Sequence, residues 1–385
     1  MNDKLELTYP GKESKRKIID EKPSTVLEKV KSFGNLRLDG WENILIWGDN
    51  LTALKLLHQN PSLKNKVKII YIDPPFSTNQ VFKKGKNKTA TVSKSDKDRK
   101  AYEDILRGSE YLEFLRKRLI ILRELLANDG SIYVHIDQKM GHYVKVLMDE
   151  VFGPQLFIND ITRVKCNPKN FTRKGYGNIK DMILFYSKTD HYIWHEAREG
   201  MTEEDIKRLF SKVDKNGRKY ETTSLNAPGE TRNGPTGQPW KGLKPPKGRH
   251  WEHSPGKLNR LDEQGLIEWS PTGNPRKIIY ADDALANGKK RQDIWEFKDP
   301  PHPTYPTEKN LEMLKMIIHS SSNLGDIVLD CFSGSGTTLV AAEEMGRRWI
   351  GTDNSKVAIE VAQKRLTSIK SHSSFGLHEI KEMKV

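Results

Sequence analysis

The 385-residue chain reads as an α/β protein, a parallel sheet with helices on both faces, interrupted by one irregular insertion. Short apolar, β-branched runs alternate with stretches of helical period. Two of those runs end in abrupt turns rich in Pro or Gly. Between about 196 and 290 regular periodicity disappears, and Gly, Pro, Trp and Lys/Arg dominate, as in NGPTGQPWKGLKPPKGRHWEHSPGK.

Residues 1–34 are polar and Lys/Glu-rich without a sustained period and read as an N-terminal arm. Residues 35–195 form the first half of the core. Ile44-Leu45-Ile46-Trp47 is a buried-strand pattern, after which Asn50 is placed to cap a helix carrying Leu51, Leu54 and Leu57. A second strand, Val67 to Ile72, runs into IYIDPPFST. Residues 77–109 are long, polar and lysine-rich, and read as a mobile basic loop. The amphipathic stretch EYLEFLRKRLIILRELLANDG is a helix with Gly130 at its C-terminal stop. A strand at 131–136, a helix at 139–151 and a strand at 182–186 complete this half. After the 196–290 insertion, residues 291–370 form the second half: a helix at about 308–322, the strand 326–330, the turn CFSGSGTT, a helix, the strand 348–352 and a last helix to about 369. Residues 371–385 remain as a C-terminal tail.

Composition narrows the class. The formal charge is +14, and a surface that basic attracts polyanions through counterion release. Two cysteines, Cys166 and Cys331, leave neither a disulfide framework nor a Cys-based zinc site. MNDKLELTYPGKESKRK has no apolar h-region, and no apolar run reaches membrane-spanning length. These features point to a soluble cytoplasmic protein. His135 and His302 stand alone without metal-ligand spacing and read as structural, so no metal is expected. Glu343 and Glu344 read as a solvated helix face.

Two turns carry chemistry. In IYIDPPFST an acid, two rigid residues and an aromatic ring stand at the mouth of a strand; two prolines that merely stop a strand are the plain alternative. In LDCFSGSGTT, glycines between a strand and a helix let the backbone approach a ligand. A Walker loop needs a Lys before the final Ser/Thr, which is missing, and a dinucleotide fingerprint would want Gly where Leu339 stands. A nucleoside without phosphates, such as S-adenosylmethionine, is the third candidate. Asp353, ending the next strand about twenty residues on, is placed to accept ribose hydroxyls. A cap of the helix before Ser355 is the plain alternative.

Together, DPPF after one strand and FSGSGTT after a later one resemble the signature motifs of amino-group DNA methyltransferases. Acceptor motif first, basic block second and cofactor motif last is the order of the β class, which includes the modification (Mod) subunits of type III restriction systems and stand-alone adenine methyltransferases. IWGDN (46–50), DIWE (293–296), YPTEKN (305–310), GRRWIG (346–351) and NIKDMILFY (178–186) are similar to further segments of that family. The resemblance covers about 41–195 and 290–370. It departs at Phe76, where the family usually has Tyr, and at Asn310, where many members have Pro.

The resemblance implies a Rossmann-like S-adenosylmethionine-dependent methyltransferase sheet with an inserted target-recognition region at 196–290. It implies a site-specific enzyme that moves a methyl group from S-adenosyl-L-methionine to adenine N6 in double-stranded DNA after base flipping. Asp73, Pro74, Pro75 and Phe76 would be catalytic. Asp49, Asn50, Asp73, Thr307, Lys309, Asp330, Phe332, Gly334, Gly336, Thr337 and Asp353 would bind the cofactor. Asp opening the acceptor motif goes with adenine N6, and Ser with cytosine N4. Cytosine-N4 transfer on the same fold and a catalytically silent DNA-binding subunit remain the alternatives. A second copy of the chain and a restriction subunit or cognate endonuclease are the partners the resemblance brings. In the insertion, Arg232, Lys241, Lys244, Lys247, Arg249 and Lys257 are candidates for phosphate or guanine contacts, and Trp240 and Trp251 for wedging or stacking.

Overall fold

A computed structural model describes residues 6–35, 37, 39–75, 80–84, 99–104, 108–168, 174–231, 233–301, 303, 305 and 308–383. The chain divides into two compact units, residues 1–196 with 292–385 and residues 197–291.

The larger unit is built on a mixed sheet. Its strands, numbered along the chain, are β1 (Thr25–Phe33), β2 (Asn43–Trp47), β3 (Val67–Ile72), β4 (Leu126–Ile136), β5 (Phe157–Val164), β6 (Lys180–Ser187), β7 (Ile294–Glu296), β8 (Ile327–Asp330), β9 (Arg348–Asp353) and β10 (Phe375–Glu382). Their spatial order is β1-β10-β2-β9-β8-β3-β4-β6-β5-β7. From β10 to β4 every neighbour is parallel, whereas β6 runs antiparallel between β4 and β5. The helices are α1 (Lys15–Asp20), α2 (Asn50–Gln59), α3 (Gly108–Leu125), α4 (Gly141–Phe152), α5 (Leu311–Ser321), α6 (Thr337–Glu344) and α7 (Lys356–Ser368).

Strand β3 shows why a continuous apolar run works here. Val67, Ile70 and Ile72 pack with α2, α3 and α4 on one face, and Ile69 and Tyr71 pack with α5 and α6 on the other. The crossover through α3 carries the chain from β3 to β4, while α6 carries it from β8 away to β9. Adjacent β3 and β8 are therefore left in opposite directions, and a crevice opens at their carboxyl ends, where open α/β sheets bind ligands.

Several expectations about the larger unit change. The arm and the tail each contribute a strand to the sheet: β1 pairs antiparallel with β10 at the sheet edge, and Phe33 stacks on Phe375 at 4.7 Å. An edge strand with both faces largely in water has no alternation to read. Gly130 does not stop a helix. It lies within β4, and a Cβ there would meet the Lys68 carbonyl oxygen at 2.9 Å. Strands Gln80–Lys84 and Arg99–Asp104 pair antiparallel inside the stretch expected as loop; the rest of 77–109 up to 107 lies outside the described residues. Glu343 is no solvated face, because it accepts from Trp349 Nε1 at 2.7 Å and Asn43 Nδ2 at 3.1 Å.

The 197–291 unit has its own order. Lys212–Val213, Lys219–Ser224, Pro275–Tyr280 and Ile267–Trp269 form an antiparallel sheet over a core of Leu225, Trp240, Trp251, Leu258 and Ile267. Trp240 and Trp251 are each 2% exposed, and their indole N–H groups donate to Asn259 Oδ1 and the Gln238 carbonyl. They anchor this core and are not free to wedge or stack. A few large side chains do what periodic Leu and Val do elsewhere, so the core leaves no period in the sequence.

Candidate active site

The crevice at the ends of β3 and β8 gathers most of the residues singled out above. Asp73 follows the last residue of β3. Pro74 is buried and Pro75 half-buried behind it. The Lys309 ammonium sits on Asp73 Oδ2, with side-chain exposures of 9% and 16%. Asp73 Oδ1 is buried with no hydrogen-bond partner among the described residues. A buried hydrogen-bond acceptor left unmatched costs free energy unless something else donates to it, so this oxygen marks where a ligand N–H or O–H belongs. Lys309 thus bears on the acceptor motif, whereas the resemblance places it on the cofactor. Phe76 and Thr307 lie outside the described residues, as do His302 and Arg232.

Asp330 closes β8, and both of its oxygens are occupied. Oδ1 accepts from the Phe332 backbone N–H at 2.9 Å, and Oδ2 accepts from Thr338 Oγ1 at 2.6 Å. Burial pushes its carboxyl up to about 7; these two hydrogen bonds oppose the rise, and the charges of Asp73 and Asp353 add to it. The glycine turn then bends through left-handed backbone at Gly334 (φ +50°) and Gly336 (φ +76°). Gly336 precedes the first turn of α6, where a Cβ would sit 2.8 Å from Ala362 Cβ. Over Gly334 the nearest atom to a Cβ would be in the Tyr305 ring, at 3.8 Å, so one side of the turn is open. Phe332 lies between the turn and Phe114, with ring centroids 6.0 Å apart.

Asp353 ends β9. Its Oδ2 accepts from Gly334 N–H at 2.9 Å and its Oδ1 from Ser355 N–H at 2.8 Å, and burial raises its carboxyl above the ordinary range despite those bonds. The cap of α7 is Ser355 itself. The Thr337 hydroxyl is held by Arg365 Nη1 at 2.8 Å. Arg365 also reaches Ser335 and pairs with Glu308 at 3.0 Å, tying the turn to the segment that carries Lys309.

At the end of β2 the cap is Asp49, not Asn50. Asp49 Oδ1 accepts from Thr52 N–H at 2.8 Å, while Asn50, the first residue of α2, donates to the Cys331 carbonyl at 2.7 Å. The Asn50 side chain is spent on the Cys331 carbonyl, which leaves Asp49 to cap. Sequence reasoning missed Arg118. This buried cation donates to Asn50 Oδ1, pairs with Asp49 at 3.2 Å and lies over the Phe114 ring at 3.5 Å. Burial lowers it to about 10. The one signal in the sequence was a cation among Leu115, Leu119 and Leu122 on the apolar stripe of α3. Asn310, the other departure from the family pattern, caps α5 by accepting from Met313 N–H at 3.1 Å and donates to the Lys298 carbonyl at 3.0 Å.

Three acids at neighbouring strand ends, a glycine turn with an open side and one unmatched carboxylate oxygen suit a cationic nucleoside and a hydrogen-bond donor side by side. Among the described residues no cluster of His, Cys, Asp or Glu could hold a metal ion, and no helix is long and apolar enough to cross a membrane.

A family model described as DNA methylase, N6_N4_Mtase, matches residues 67–364. The type II methyltransferase M.EcaI of Enterobacter cloacae is 41% identical over 368 residues, which cover 94% of this chain and 77% of that protein. The type III restriction-modification enzyme EcoP15I Mod subunit of Escherichia coli is 24% identical over 86% of this chain and 61% of its own length. Among solved structures, the cytosine-N4-specific PvuII DNA methyltransferase aligns over 86% of this chain and 87% of its own, at 13% identity and a TM-score of 0.47.

Proposed function

The chain belongs to the N6/N4 DNA methylase family, and from that premise we propose that it is a site-specific methyltransferase acting on adenine N6 of duplex DNA. The observation that carries the reading is Asp73: one oxygen fixed by Lys309, the other buried and unmatched, at the crevice between β3 and β8.

S-Adenosylmethionine supplies an electrophilic methyl group on a sulfonium. The glycine turn, Asp330, Asp353 and the Asp49–Asn50 corner are the residues that would hold it. Their acids suit its positive charge, and the open side of Gly334 suits its close approach. The chain's own work is on the acceptor. The adenine amine is a poor nucleophile because its lone pair is delocalised into the ring. Asp73 Oδ1 accepts one N–H and the Pro74 carbonyl the other, which favours the pyramidal amine that attacks. Both acceptors are fixed before reaction, Asp73 by Lys309 and the backbone by two prolines, so little reorganisation remains for the transition state. The base must leave the duplex to arrive there, and the Phe76 ring is its stacking surface.

The +14 charge supports a polyanionic substrate, and the 197–291 unit supplies target recognition. Since M.EcaI is a type II methyltransferase, we read the chain as the modification half of a restriction-modification pair.

The test is mass spectrometry of nucleosides from DNA of a methylation-deficient host expressing the chain. N6-methyladenine is the expected product. N4-methylcytosine would keep the mechanism and overturn the base. No modified base, from folded protein that binds S-adenosylmethionine, would leave a silent subunit.

A further inference from the structure

The sheet face that leads to Asp73 is not wholly apolar. Tyr133, Phe185, Ile183 and Ile161 on this face belong to an ordinary core. Beside them, toward the end of β3, neighbouring strands carry Tyr71 on β3, level with Tyr133, His135 on β4, level with Ile183, and the paired Asp181 on β6 and Arg163 on β5, none more than 3% exposed. His135 Nε2 is 3.3 Å from Asp181 Oδ2, and His135 Nδ1 is 2.7 Å from the Tyr71 hydroxyl. Asp181 accepts, so Nε2 carries the proton and donates. Nδ1 is then an acceptor, and the Tyr71 O–H donates to it. Lys165 Nζ holds the other Asp181 oxygen at 2.7 Å. Arg163 lies 3.8 Å from Asp181 and binds Asp299 at 2.6 Å and the Phe297 carbonyl at 2.8 Å.

A buried polar chain of this kind usually stabilises a fold less than well-packed apolar residues of the same volume. Its cost falls beside the end of β3 that leads into Asp73. Tyr71 is two residues before Asp73, on the same face of β3. We propose that the chain Tyr71–His135–Asp181 is a positioning element for the acceptor site, which locks the carboxyl end of β3 so that Asp73 Oδ1 and the Pro74 carbonyl hold their aim. His135 is here a positioning residue, acting through Tyr71 and not on substrate.

Burial holds the His135 imidazole below its ordinary range, against the hydrogen bond to Asp181 and the charge of Asp73 that favour protonation, while Lys309 also disfavours it. Burial pushes Asp181 up, yet His135 and Lys165 bring it well below the carboxylate range. At neutral pH the direction of donation is therefore fixed from Tyr71 through His135 to Asp181.

The inference rests on the proposed function, so its test has one readout independent of methyl transfer. Tyr71→Phe removes one hydroxyl. His135→Leu removes both bonds. His135→Gln keeps an N–H for Asp181 and an oxygen for Tyr71. In the full chain, amide hydrogen exchange at Tyr71 and Ile72 should quicken in Y71F and H135L and remain near wild type in H135Q. Single-turnover transfer to unmodified DNA should fall about tenfold in Y71F and about thirtyfold in H135L, recovering in H135Q, with dissociation constants for S-adenosylmethionine and DNA within about threefold throughout. Normal exchange and normal rate in Y71F would overturn the inference even if H135L failed to fold, and so would equal losses in H135L and H135Q. An inert wild type whose variants show the exchange pattern would instead overturn the proposed reaction.

Discussion

Two carboxylates end adjacent parallel strands and meet opposite fates. Asp330, closing β8, has both oxygens matched, by a backbone N–H and by Thr338. Asp73, following β3, has one oxygen held by Lys309 and one buried without a partner among the described residues. The same residue type at nearly the same height of one sheet is in one place a finished piece of architecture and in the other an unfinished one. The difference lies in the turn after each strand. Beyond β8 a glycine turn folds back and offers N–H and O–H groups; beyond β3 stand two prolines, with no N–H to offer. Where a local turn cannot satisfy an acid, a ligand must.

The comparison is broken most directly at Asp73. Replacing it with Ala should lower single-turnover methyl transfer by roughly 10³-fold, the scale for losing a preorganised polar group at a reacting centre. S-Adenosylmethionine affinity, measured calorimetrically, should change by no more than a few fold. A variant that keeps its rate would remove Asp73 from the chemistry.

The reverse pattern is expected on the β8 side. Gly336→Ala forces a side chain into left-handed backbone at φ +76° and places its Cβ 2.8 Å from Ala362. The turn must shift. Cofactor affinity should drop by at least about tenfold, while DNA binding by gel shift remains intact. If the cofactor loss were no greater than that of Asp73→Ala, the division of labour between the two strand ends would be wrong.

How much of this was legible differs between the two ends for the same reason. The strands β2, β3, β8 and β9 are buried on both faces and read as apolar runs, and the two turns declare themselves by Pro and Gly. The pairing of Lys309 with Asp73, and the row Tyr71, His135, Asp181 and Arg163, join residues far apart in sequence. Each looks ordinary on its own strand, and only strand order brings them together. The edge strand β1, its neighbour β10 and the tryptophan core of 197–291 escaped because none repeats at period 2 or 3.6. Asp49 and Asn50 could not be told apart as caps, since both residue types cap helices; the choice was made by the Cys331 carbonyl across the crevice.

Arg118 sharpens the comparison at a smaller scale, because it supports the β2 corner without touching either turn. Arg118→Ala leaves Asn50 Oδ1 and Asp49 Oδ2 without their cation. A charge-assisted hydrogen bond is worth about 1.5–3 kcal/mol, so cofactor affinity should weaken by about tenfold, with the rate at saturating cofactor little changed. A fall in that saturated rate instead would tie the corner to the acceptor side.

Asp330, already satisfied, is expected to affect stability more than chemistry. Its folded-state value of about 7 lies above that of a free carboxyl. Between about pH 4 and pH 7 the unfolded chain has lost this proton and the folded chain still holds it. Folding stability from this group therefore falls as pH rises through that window, by at most about 1.4 kcal/mol per unit, and levels off above it. Asp330→Asn stays neutral and keeps an acceptor for the Phe332 N–H. The unliganded variant should melt above wild type at pH 8, and the gap should narrow steadily below pH 7 and close near pH 4. Asp353, raised in the same direction, keeps part of the slope in both proteins, so the difference between the two curves is the quantity to measure. Cofactor binding should respond oppositely. Wild type gains affinity for a cation as Asp330 ionises, and the variant does not. A melting gap independent of pH would mean that Asp330 is ionised throughout and that its hydrogen bonds outweigh its burial.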